Sequence, residues 1–283
     1  MQTNKKQTCS LLVITNEIDV CNEFVFRHKN DFDEFILVIT NGEKIMPLSR
    51  QCQIHYYDWD NNFSNALNFG ISKCTSDWIF RLDSDEMISP VEVQRLHQLI
   101  QTDDYDYFLC NVFTFSEDFR KMPPGQQAKY RDGFLPRLWR GNMGVIYENY
   151  VHELNVMSIQ RNHLRGGINT VFGICHMGEI GLAYRDVAFT GKRSCRNELI
   201  FKQLELTPSD ARFNSYAGII RLHEGRFDEA LAYAQKACEY CIPNELLHYL
   251  KKKEEVLNII KKSKDNFIVD LMQPSNNQPA SIP

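Results

Sequence analysis

Short runs of consecutive apolar residues, separated by helical patterns, constrain the fold of this chain more than any other feature. Because these runs are apolar throughout rather than alternating, they indicate strands that are buried on both faces of a sheet. Helical periodicity lies between them, at Val20–His28 and Asn65–Lys73. Strands that alternate with helices in this way predict an α/β protein with a mostly parallel sheet. The predicted strands are Ser10–Thr15, Phe35–Thr40, Gln53–Tyr57 and Trp78–Leu82.

The same alternation continues through the next hundred residues or so. Ser89 followed by Pro90 is a typical helix start, and the helix is predicted to run to Ile100. Glu117–Asp132 has little apolar periodicity, so it is predicted to be a surface loop of the kind that covers active sites. Further strands are predicted at Tyr105–Phe115, Gly133–Trp139, Val145–Tyr147 and Thr170–Cys175.

From about Leu182 the sequence becomes helical. A helix is predicted over Asp186–Leu206, and Ala211–Asn244 resembles one tetratricopeptide unit, in which small residues lie where paired helices touch. A single repeat cannot bury its apolar face alone, so flanking helices are expected to complete a bundle. The sequence therefore predicts an α/β domain over 1–181, a tetratricopeptide-like region over 182–264 and a disordered tail over 265–283.

Polar side chains follow the carboxyl ends of three predicted strands. Glu17 follows the first strand, Thr40 and Asn41 end the second, and Asp83 and Asp85 end the fourth. In a parallel sheet these ends lie along one edge, where α/β proteins bind their ligands. We therefore expect a nucleotide crevice at this edge.

Three carboxylates crowd the turn after the fourth strand, in Asp83-Ser84-Asp85-Glu86. Ser84 favours a turn. Close carboxylates raise one another's pKa unless a cation neutralises them. A hard divalent ion such as Mg²⁺ or Mn²⁺, shared with the phosphates of a substrate, would do so. The alternative is a polar strand end followed by a helix cap, because Asp-x-Asp alone is a short motif.

Two blocks of sequence around this turn resemble the family 2 glycosyltransferases. The family pattern F-x-x-A-R-N-x-A, A-T-G-D-W-I-L and L-D-A-D-E is similar to the segment from Phe63 to Glu86, and P-R-L-F-R with V-H-E is similar to Pro136–Arg140 and Val151–Glu153. The resemblance covers about Ser10 to Gly178 and extends to bacterial enzymes that build cell-surface glycans. It implies a GT-A fold over 1–181, a Rossmann-like mixed sheet. Matching residues in the first block are Phe63, Ala66, Asn68, Thr75, Asp77, Trp78, Ile79, Leu82, Asp83, Asp85 and Glu86.

The resemblance implies roles for several polar residues. Asp85 would contact the metal ion, Asp83 would be a second ligand that lies nearer the ribose, and His176 would be a further ligand. A lone His at a strand end is otherwise simply hydrogen-bonded. Glu153 would be the general base, held or replaced in that role by His152, and a strand-end salt bridge is the alternative for Glu153. Candidate nucleotide-sugar contacts are Thr15, Glu17, Thr40, Asn41, Asn68, Asp83, Ser84 and Arg137.

The chain departs from the family pattern at two positions. Family members carry an Asp after the second strand where this chain has Thr40, and an Arg in the A-R-N helix where it has Leu67. Both changes remove contacts that the family uses to hold the nucleotide. They leave open an altered donor, compensation by neighbouring polar residues, or lost activity.

Composition and charge are those of a soluble cytoplasmic enzyme. The 283 residues are 43% hydrophobic, and a net charge of −4 gives no argument for nucleic acid. Nine scattered cysteines predict no disulfide framework, and Cys238-x-x-Cys241 is interpreted as two buried helical side chains rather than a zinc site. No apolar stretch approaches the ~20 residues of a membrane helix. The basic segment Lys251–Lys264 is either a solvated terminal helix or a peripheral contact with the inner face of the cell membrane.

The main hypothesis is an inverting, metal-dependent glycosyltransferase. A sugar would pass from a nucleoside diphosphate donor, UDP being the commonest in the family, to a hydroxyl of a glycan, lipid-linked saccharide or peptide. The cofactor would be Mn²⁺ or Mg²⁺, and the helical region would grip a peptide or form a homodimer. The alternative is a helical-repeat adaptor that carries a degenerate transferase domain, which the substitutions at Thr40 and Leu67 favour.

Overall fold

The computed structural model describes residues 6–16, 28, 30–40, 52–114, 133–176 and 189–272 of the 283-residue chain. The chain divides into two compact units, residues 1–192 and 193–283. The first unit is built on a mixed sheet, and the second is helical. An α/β domain of the predicted class followed by helices is therefore confirmed.

One sheet forms the framework of the first unit. Its strands within the described residues are β1 (Cys9–Thr15), β2 (Glu34–Ile39), β3 (Cys52–Tyr56), β4 (Trp78–Asp83), β5 (Glu86–Met87), β6 (Tyr107–Thr114), β7 (Gly133–Arg140) and β8 (Gly166–His176). They are arranged in the order β3-β2-β1-β4-β7-β6-β8-β5. β3, β2, β1 and β4 run parallel, as predicted. β7 pairs antiparallel with β4 and β6, β6 and β8 are parallel, and β5 pairs antiparallel with β8.

The two faces of β4 lie in different environments because side chains alternate along a strand. Trp78, Phe80 and Leu82 are fully buried in one core cluster. Ile79 points to the other face and packs in a second cluster. Arg81 falls on the Ile79 side by the same alternation, although it carries a charge. β4 is therefore apolar on one face and polar towards its end on the other.

Three helices of the first unit are α1 (Phe63–Ile71), α2 (Pro90–Leu99) and α3 (Val156–Arg161). α2 begins as the sequence predicts: the Ser89 side chain accepts from the Glu92 N–H, and the Glu92 side chain accepts in return from Ser89. α1 packs very closely on β1 at Gly70. A Cβ at Gly70 would lie 2.6 Å from Leu12 Cδ1, so a larger residue would push α1 away from the sheet.

The described helices after β8 are α4 (Phe189–Leu206), α5 (Ala211–His223), α6 (Phe227–Tyr240) and α7 (Leu246–Met272), and the second unit begins within α4. A short turn joins α5 to α6, and Gly225 in this turn has φ 74°. Small residues lie where the two helices meet, since a Cβ at Gly218 would lie 3.2 Å from the Ala230 carbonyl oxygen. None of the described helices is long and apolar enough to cross a membrane.

Several elements differ from the sequence-based expectations. Val145–Tyr147 forms no strand; Val145 and Tyr147 are buried against the core from a loop while Ile146 is exposed, so burial of these two rather than sheet pairing explains the pattern. β5 and α3 were not predicted, because elements this short show no periodicity. α7 continues to Met272, beyond the predicted start of the tail, and 273–283 lies outside the described residues. The predicted loop Glu117–Asp132 and, apart from His28, the predicted helix Val20–His28 also lie outside them.

Candidate active site

The carboxyl ends of β1, β2 and β4 lie along one edge of the sheet, as their parallel pairing requires. Thr40 ties the end of β2 to β1: its N–H and its hydroxyl donate to the Thr15 carbonyl at 3.0 and 3.4 Å. Asp83 is the last residue of β4. Glu17 and Asn41, two further predicted contacts, lie outside the described residues. Thr15, Thr40 and Asp83 thus share the predicted edge.

The acidic turn directs its carboxylates to different partners. Ser84 and Asp85 form the turn, Ser84 is half-buried, and β5 begins at Glu86. The Glu86 Oε2 accepts from the Asp83 N–H at 2.8 Å, which closes the turn. β5 pairs with β8 so that Glu86 lies opposite His176. Strand pairing therefore brings the distant histidine to the turn.

Two arginines and three carboxylates form a chain of ion pairs beside this turn. Arg137 Nη2 lies 2.7 Å from Asp83 Oδ2 and 2.6 Å from Glu86 Oε1. Arg81 Nη2 lies 2.5 Å from Asp83 Oδ1 and 3.0 Å from Glu153 Oε1. The chain therefore runs Glu153–Arg81–Asp83–Arg137–Glu86, and we call it the arginine–carboxylate chain. It connects the two sequence blocks, which the sequence alone does not bring together.

Burial and charge act in opposite directions within the arginine–carboxylate chain. Burial disfavours ionisation of Asp83, but Arg137 and Arg81 outweigh it and hold the Asp83 pKa well below its usual range. Burial raises the pKa of Glu86 to about 7, against the opposing effect of Arg137. Burial also lowers the pKa of Arg137, and the charges of Asp83 and Glu86 reverse that effect and raise it. Asp83 therefore stays ionised, whereas Glu86 gains or loses its proton near pH 7.

Asp85 is paired with His176 rather than with the arginines. His176 Nε2 lies 3.4 Å from Asp85 Oδ2, and the two side chains are 30% and 38% exposed. The hydrogen bond to Asp85 raises the pKa of His176 to about 9. The pair is therefore partly open to solvent and chemically distinct from the buried arginine–carboxylate chain.

The donor atoms of Asp85 and His176 fit a divalent cation better than those of Asp83 do. A carboxylate oxygen and an imidazole nitrogen are suitable ligands, whereas both Asp83 oxygens accept from guanidinium groups. The described residues contain no cluster of three His, Cys, Asp or Glu side chains placed for a metal. A cation held by Asp85 and His176 would need its other ligands from substrate phosphates and water. It would also displace the His176 proton, because a ligating imidazole is neutral.

The second sequence block forms a tight loop, residues 148–154, which we call the V-H-E loop. The backbone N–H groups of Glu148 and Leu154 donate to each other's carbonyls at 2.9 and 3.2 Å and close the loop. Asn149 and His152 have φ angles of 81° and 52°, which are unfavourable for residues with a side chain. Such a loop persists only where its surroundings fix its conformation.

Helix α1 supplies part of that support. The Phe63 N–H donates to the Tyr150 carbonyl at 3.0 Å, and the Ser64 hydroxyl donates to the Asn149 carbonyl at 2.6 Å. The first turn of α1 is thus docked on the backbone of the V-H-E loop. One block of the sequence pattern holds the other in place.

Asn68 continues this support one turn further along α1. Its Nδ2 donates to the Tyr147 carbonyl at 2.9 Å, and its Oδ1 accepts from the Tyr147 N–H at 2.8 Å. Asn68 was predicted as a nucleotide contact. Both the NH₂ group and the oxygen of its amide instead bind the segment that leads into the V-H-E loop. The side chain therefore has a supporting position in this structure.

Replacing Asn68 with alanine should lower the free energy of unfolding by about 1–2 kcal/mol, because two partly buried backbone groups of Tyr147 lose their partner. Urea denaturation followed by circular dichroism measures the change. Asn65→Ala is the matched control on the same helix, since Asn65 is exposed and bonds only to exposed groups. Equal effects of the two substitutions would contradict this role of Asn68.

Arg81 is the site residue that the sequence reasoning missed. It is 8% exposed and lies between Phe80 and Leu82, which are fully buried. A charged residue inside an otherwise apolar strand is a signal that could have identified it, because buried charges need partners. The side chain also lies over the Tyr147 ring, with its Cζ 5.1 Å from the ring centroid.

The two departures from the family pattern have structural counterparts. Leu67 is 2% exposed and packs in the second core cluster beside Val38 and Trp139. Thr40 hydrogen-bonds to the end of β1 rather than presenting a carboxylate. Neither residue can replace the charged group that the family carries there.

The comparison with known families decides what kind of chain this is. The model of Glycosyl transferase family 2 matches residues 30–172, half of the chain. The chain belongs to this family. The matched part includes the acidic turn, both arginines of the arginine–carboxylate chain and the V-H-E loop, so the resemblance based on the two sequence blocks is confirmed.

Individual relatives of this family member are distant. It is 26% identical over 151 residues to the SPbeta prophage-derived glycosyltransferase SunS of Bacillus subtilis, a match that covers 52% of this chain and 34% of SunS. It is 22% identical over 280 residues to a TPR repeat-containing protein of Synechococcus elongatus, covering 95% of this chain and 66% of that protein. The chain thus spans about a third of SunS and two thirds of the second relative.

Two solved structures resemble parts of the molecule. The crystal structure of S. aureus TarS 1-349 aligns over 92% of both chains with a TM-score of 0.46 and 9% identity. The bifunctional IspDF of Campylobacter jejuni aligns over 57% of this chain and 49% of its own, with a TM-score of 0.41 and 10% identity.

Proposed function

We propose that this family 2 member is an inverting, metal-dependent glycosyltransferase that moves a sugar from a nucleoside diphosphate donor to an acceptor hydroxyl. The observation that carries the proposal is that one nitrogen, Arg81 Nη2, contacts both Asp83 and Glu153. The acidic turn and the V-H-E loop therefore meet at the ligand-binding edge of a parallel sheet. Activating the donor needs carboxylates such as those of the acidic turn, and deprotonating the acceptor needs a base such as Glu153, so the two must lie side by side.

Asp85 and His176 form the donor end of the proposed site. They would hold Mn²⁺ or Mg²⁺, which would neutralise charge that develops on the leaving diphosphate. Asp83 stays ionised between its two arginines and faces the same edge, so its exposed part can accept from the ribose. Thr15, Thr40 and Ser84 border this region and complete the proposed nucleotide contacts.

Glu153 forms the acceptor end. Its Oε1 accepts from Arg81, and within the described residues Oε2 carries no hydrogen bond, so Oε2 is the atom that would take the proton of the acceptor hydroxyl. Deprotonation on the side opposite the leaving diphosphate allows one in-line displacement and inverts the anomeric carbon. His152, half-buried beside Glu153 in the V-H-E loop, would help to orient it.

Donor and acceptor classes follow from the family and the helical unit. UDP is the donor nucleotide we propose. The acceptor would be a glycan, lipid-linked saccharide or peptide hydroxyl, and the tetratricopeptide-like helices would contact a peptide or a second copy. A cytoplasmic enzyme, with peripheral contact at the inner face of the cell membrane through the basic part of α7, would suit a lipid-linked acceptor.

Thermal unfolding in the presence of nucleotide sugars tests this function. UDP-glucose, UDP-N-acetylglucosamine, UDP-galactose and GDP-mannose would be added with and without Mn²⁺, because a ligand that binds the native state raises the melting temperature. We expect a rise of several degrees with a UDP-sugar that requires Mn²⁺ and is abolished by EDTA. Asp85→Asn should abolish this Mn²⁺-dependent shift.

A helical-repeat adaptor with a degenerate transferase domain is the second candidate. The observation that favours it is that Leu67 is a buried core residue, so the family's arginine has no counterpart in α1. If no nucleotide sugar shifted the melting temperature with or without Mn²⁺, this candidate would replace the enzyme. A shift followed by release of UDP would exclude it.

A further inference from the structure

Arg81 occupies a buried position where a charge is unfavourable unless it is paired. It lies within β4, between the fully buried Phe80 and Leu82, and is itself only 8% exposed. An apolar residue would continue the pattern of the strand. Because an unpaired buried charge is strongly unfavourable, the partners of Arg81 explain how it is tolerated there.

Those partners belong to different parts of the chain. Arg81 Nη2 donates to Asp83 Oδ1 at 2.5 Å, two residues away, and to Glu153 Oε1 at 3.0 Å, on the V-H-E loop. The two hydrogens of a single planar NH₂ group point in fixed directions, so each carboxylate has a defined direction. The guanidinium also lies over the ring of Tyr147, with Cζ 5.1 Å from the ring centroid.

The contacts from α1 hold the backbone in and beside the V-H-E loop and do not reach the Glu153 side chain. Phe63 and Ser64 bind carbonyls of the loop, and Asn68 binds the backbone of Tyr147. Within the described part of the chain, Arg81 is the residue that hydrogen-bonds the Glu153 side chain. The orientation of that carboxylate therefore depends on Arg81.

We propose that Arg81 is a positioning residue that fixes Glu153 relative to the Asp83-Ser84-Asp85 turn, with Oε1 held by the guanidinium and Oε2 directed at the acceptor hydroxyl. This inference rests on the proposed role of Glu153 as general base. A base must be within hydrogen-bond reach of the proton it removes, and a displacement of about 1 Å can cost about 100-fold in rate. Arg81 acts through Glu153 and needs no contact with substrate.

Arg81→Met is the main test, since methionine preserves much of the apolar stem and removes both hydrogen bonds. UDP release from UDP-glucose and from UDP-N-acetylglucosamine would be measured with Mn²⁺, and UDP affinity by calorimetry. We expect kcat to fall about 100-fold and UDP affinity to change less than about threefold. Arg140→Met is the matched control: Arg140 stacks on Trp78 at 4.7 Å and pairs with Asp103 at 3.0 Å, at the opposite edge of the sheet.

A double-mutant cycle with Glu153→Gln separates positioning from a general structural effect. If Arg81 acts through Glu153, Arg81→Met should lower kcat in the wild type and have less than about a twofold effect in the Glu153→Gln background. Arg81→Lys keeps the charge but not the planar group, and we expect it to fold and to lose about tenfold in kcat. This variant carries the test if Arg81→Met does not fold.

The outcomes distinguish this inference from the proposed function. A wild type that turns over while Arg81→Met and Arg81→Lys keep full kcat would overturn the positioning role and leave the enzyme intact. A further large loss on adding Arg81→Met to Glu153→Gln would do the same. A wild type that releases no UDP from any donor of the panel would overturn the proposed function, and the role of Arg81 with it.

Discussion

Glu153→Gln should reduce the rate of sugar transfer by about 10²- to 10⁴-fold, the range that general base catalysis supplies. Glutamine has the shape of glutamate and can still accept from Arg81 Nη2 through its carbonyl oxygen, so the V-H-E loop should keep its conformation. The Oε2 position, however, becomes an NH₂ group that cannot take a proton. The loss should therefore appear in kcat and not in the affinity for UDP.

The control for this prediction lies in the same loop. Glu148→Gln changes a carboxylate whose partner is the exposed Arg161, at 2.5 Å, while the backbone bonds that close the loop remain. We expect transfer within about twofold of wild type, because surface ion pairs contribute little. If Glu153→Gln kept more than about a tenth of the wild-type kcat, Glu153 would not be the base. His152 would then be the next residue to replace.

The elements that the sequence predicts well are those that short-range chemistry determines. The start of α2 needs only neighbouring residues: Ser89 begins the helix as expected, and Glu92, three residues on, completes a capping box with it. β4 is recognised because Trp78, Phe80 and Leu82 are apolar, and its parallel pairing follows from the helices between strands. The parallel pairing also puts Thr15, Thr40 and Asp83 at one edge of the sheet, as predicted, while the nucleotide crevice there stays a prediction.

The partners within the site could not be predicted, because they are set by tertiary pairing. Arg81 and Glu153 are 72 positions apart in sequence, and Arg137 reaches Asp83 only because β7 pairs antiparallel with β4. Arg137 was predicted to contact the nucleotide. In the structure it is 5% exposed and lies between Asp83 and Glu86, so its charge is directed at the protein itself.

The support of the V-H-E loop shows the same limit at Asn68. A pattern match assigns this residue to the nucleotide, but the pattern records only that an amide recurs there. The structure directs that amide to the backbone of Tyr147. A motif residue can therefore be required because it holds another motif in place rather than because it touches a ligand.

Arg137→Met should give the largest change in stability, lowering the free energy of unfolding by about 3–5 kcal/mol. Arg137 is 5% exposed, and its removal takes from Glu86, which is 2% exposed, the guanidinium that it pairs with. Asp83 is less affected because it keeps Arg81 and is partly exposed. Urea denaturation at pH 8.5 measures the change, because Glu86 has a pKa of about 7 and is ionised in the wild type at that pH. Arg161→Met is the control, because Arg161 pairs with Glu148 at 2.5 Å but the two side chains are 53% and 31% exposed, and the loss of a surface ion pair should have a much smaller effect.

The cause of this loss can be isolated with a second substitution. Glu86→Gln removes the buried charge while its amide oxygen can still accept from the Asp83 N–H, as Glu86 Oε2 does at 2.8 Å. If the uncompensated carboxylate is what destabilises Arg137→Met, the double variant should recover at least about half of the loss, because removing both partners of a buried pair costs much less than removing one. Additive losses would instead mean that Arg137 stabilises the sheet through packing, independently of Glu86.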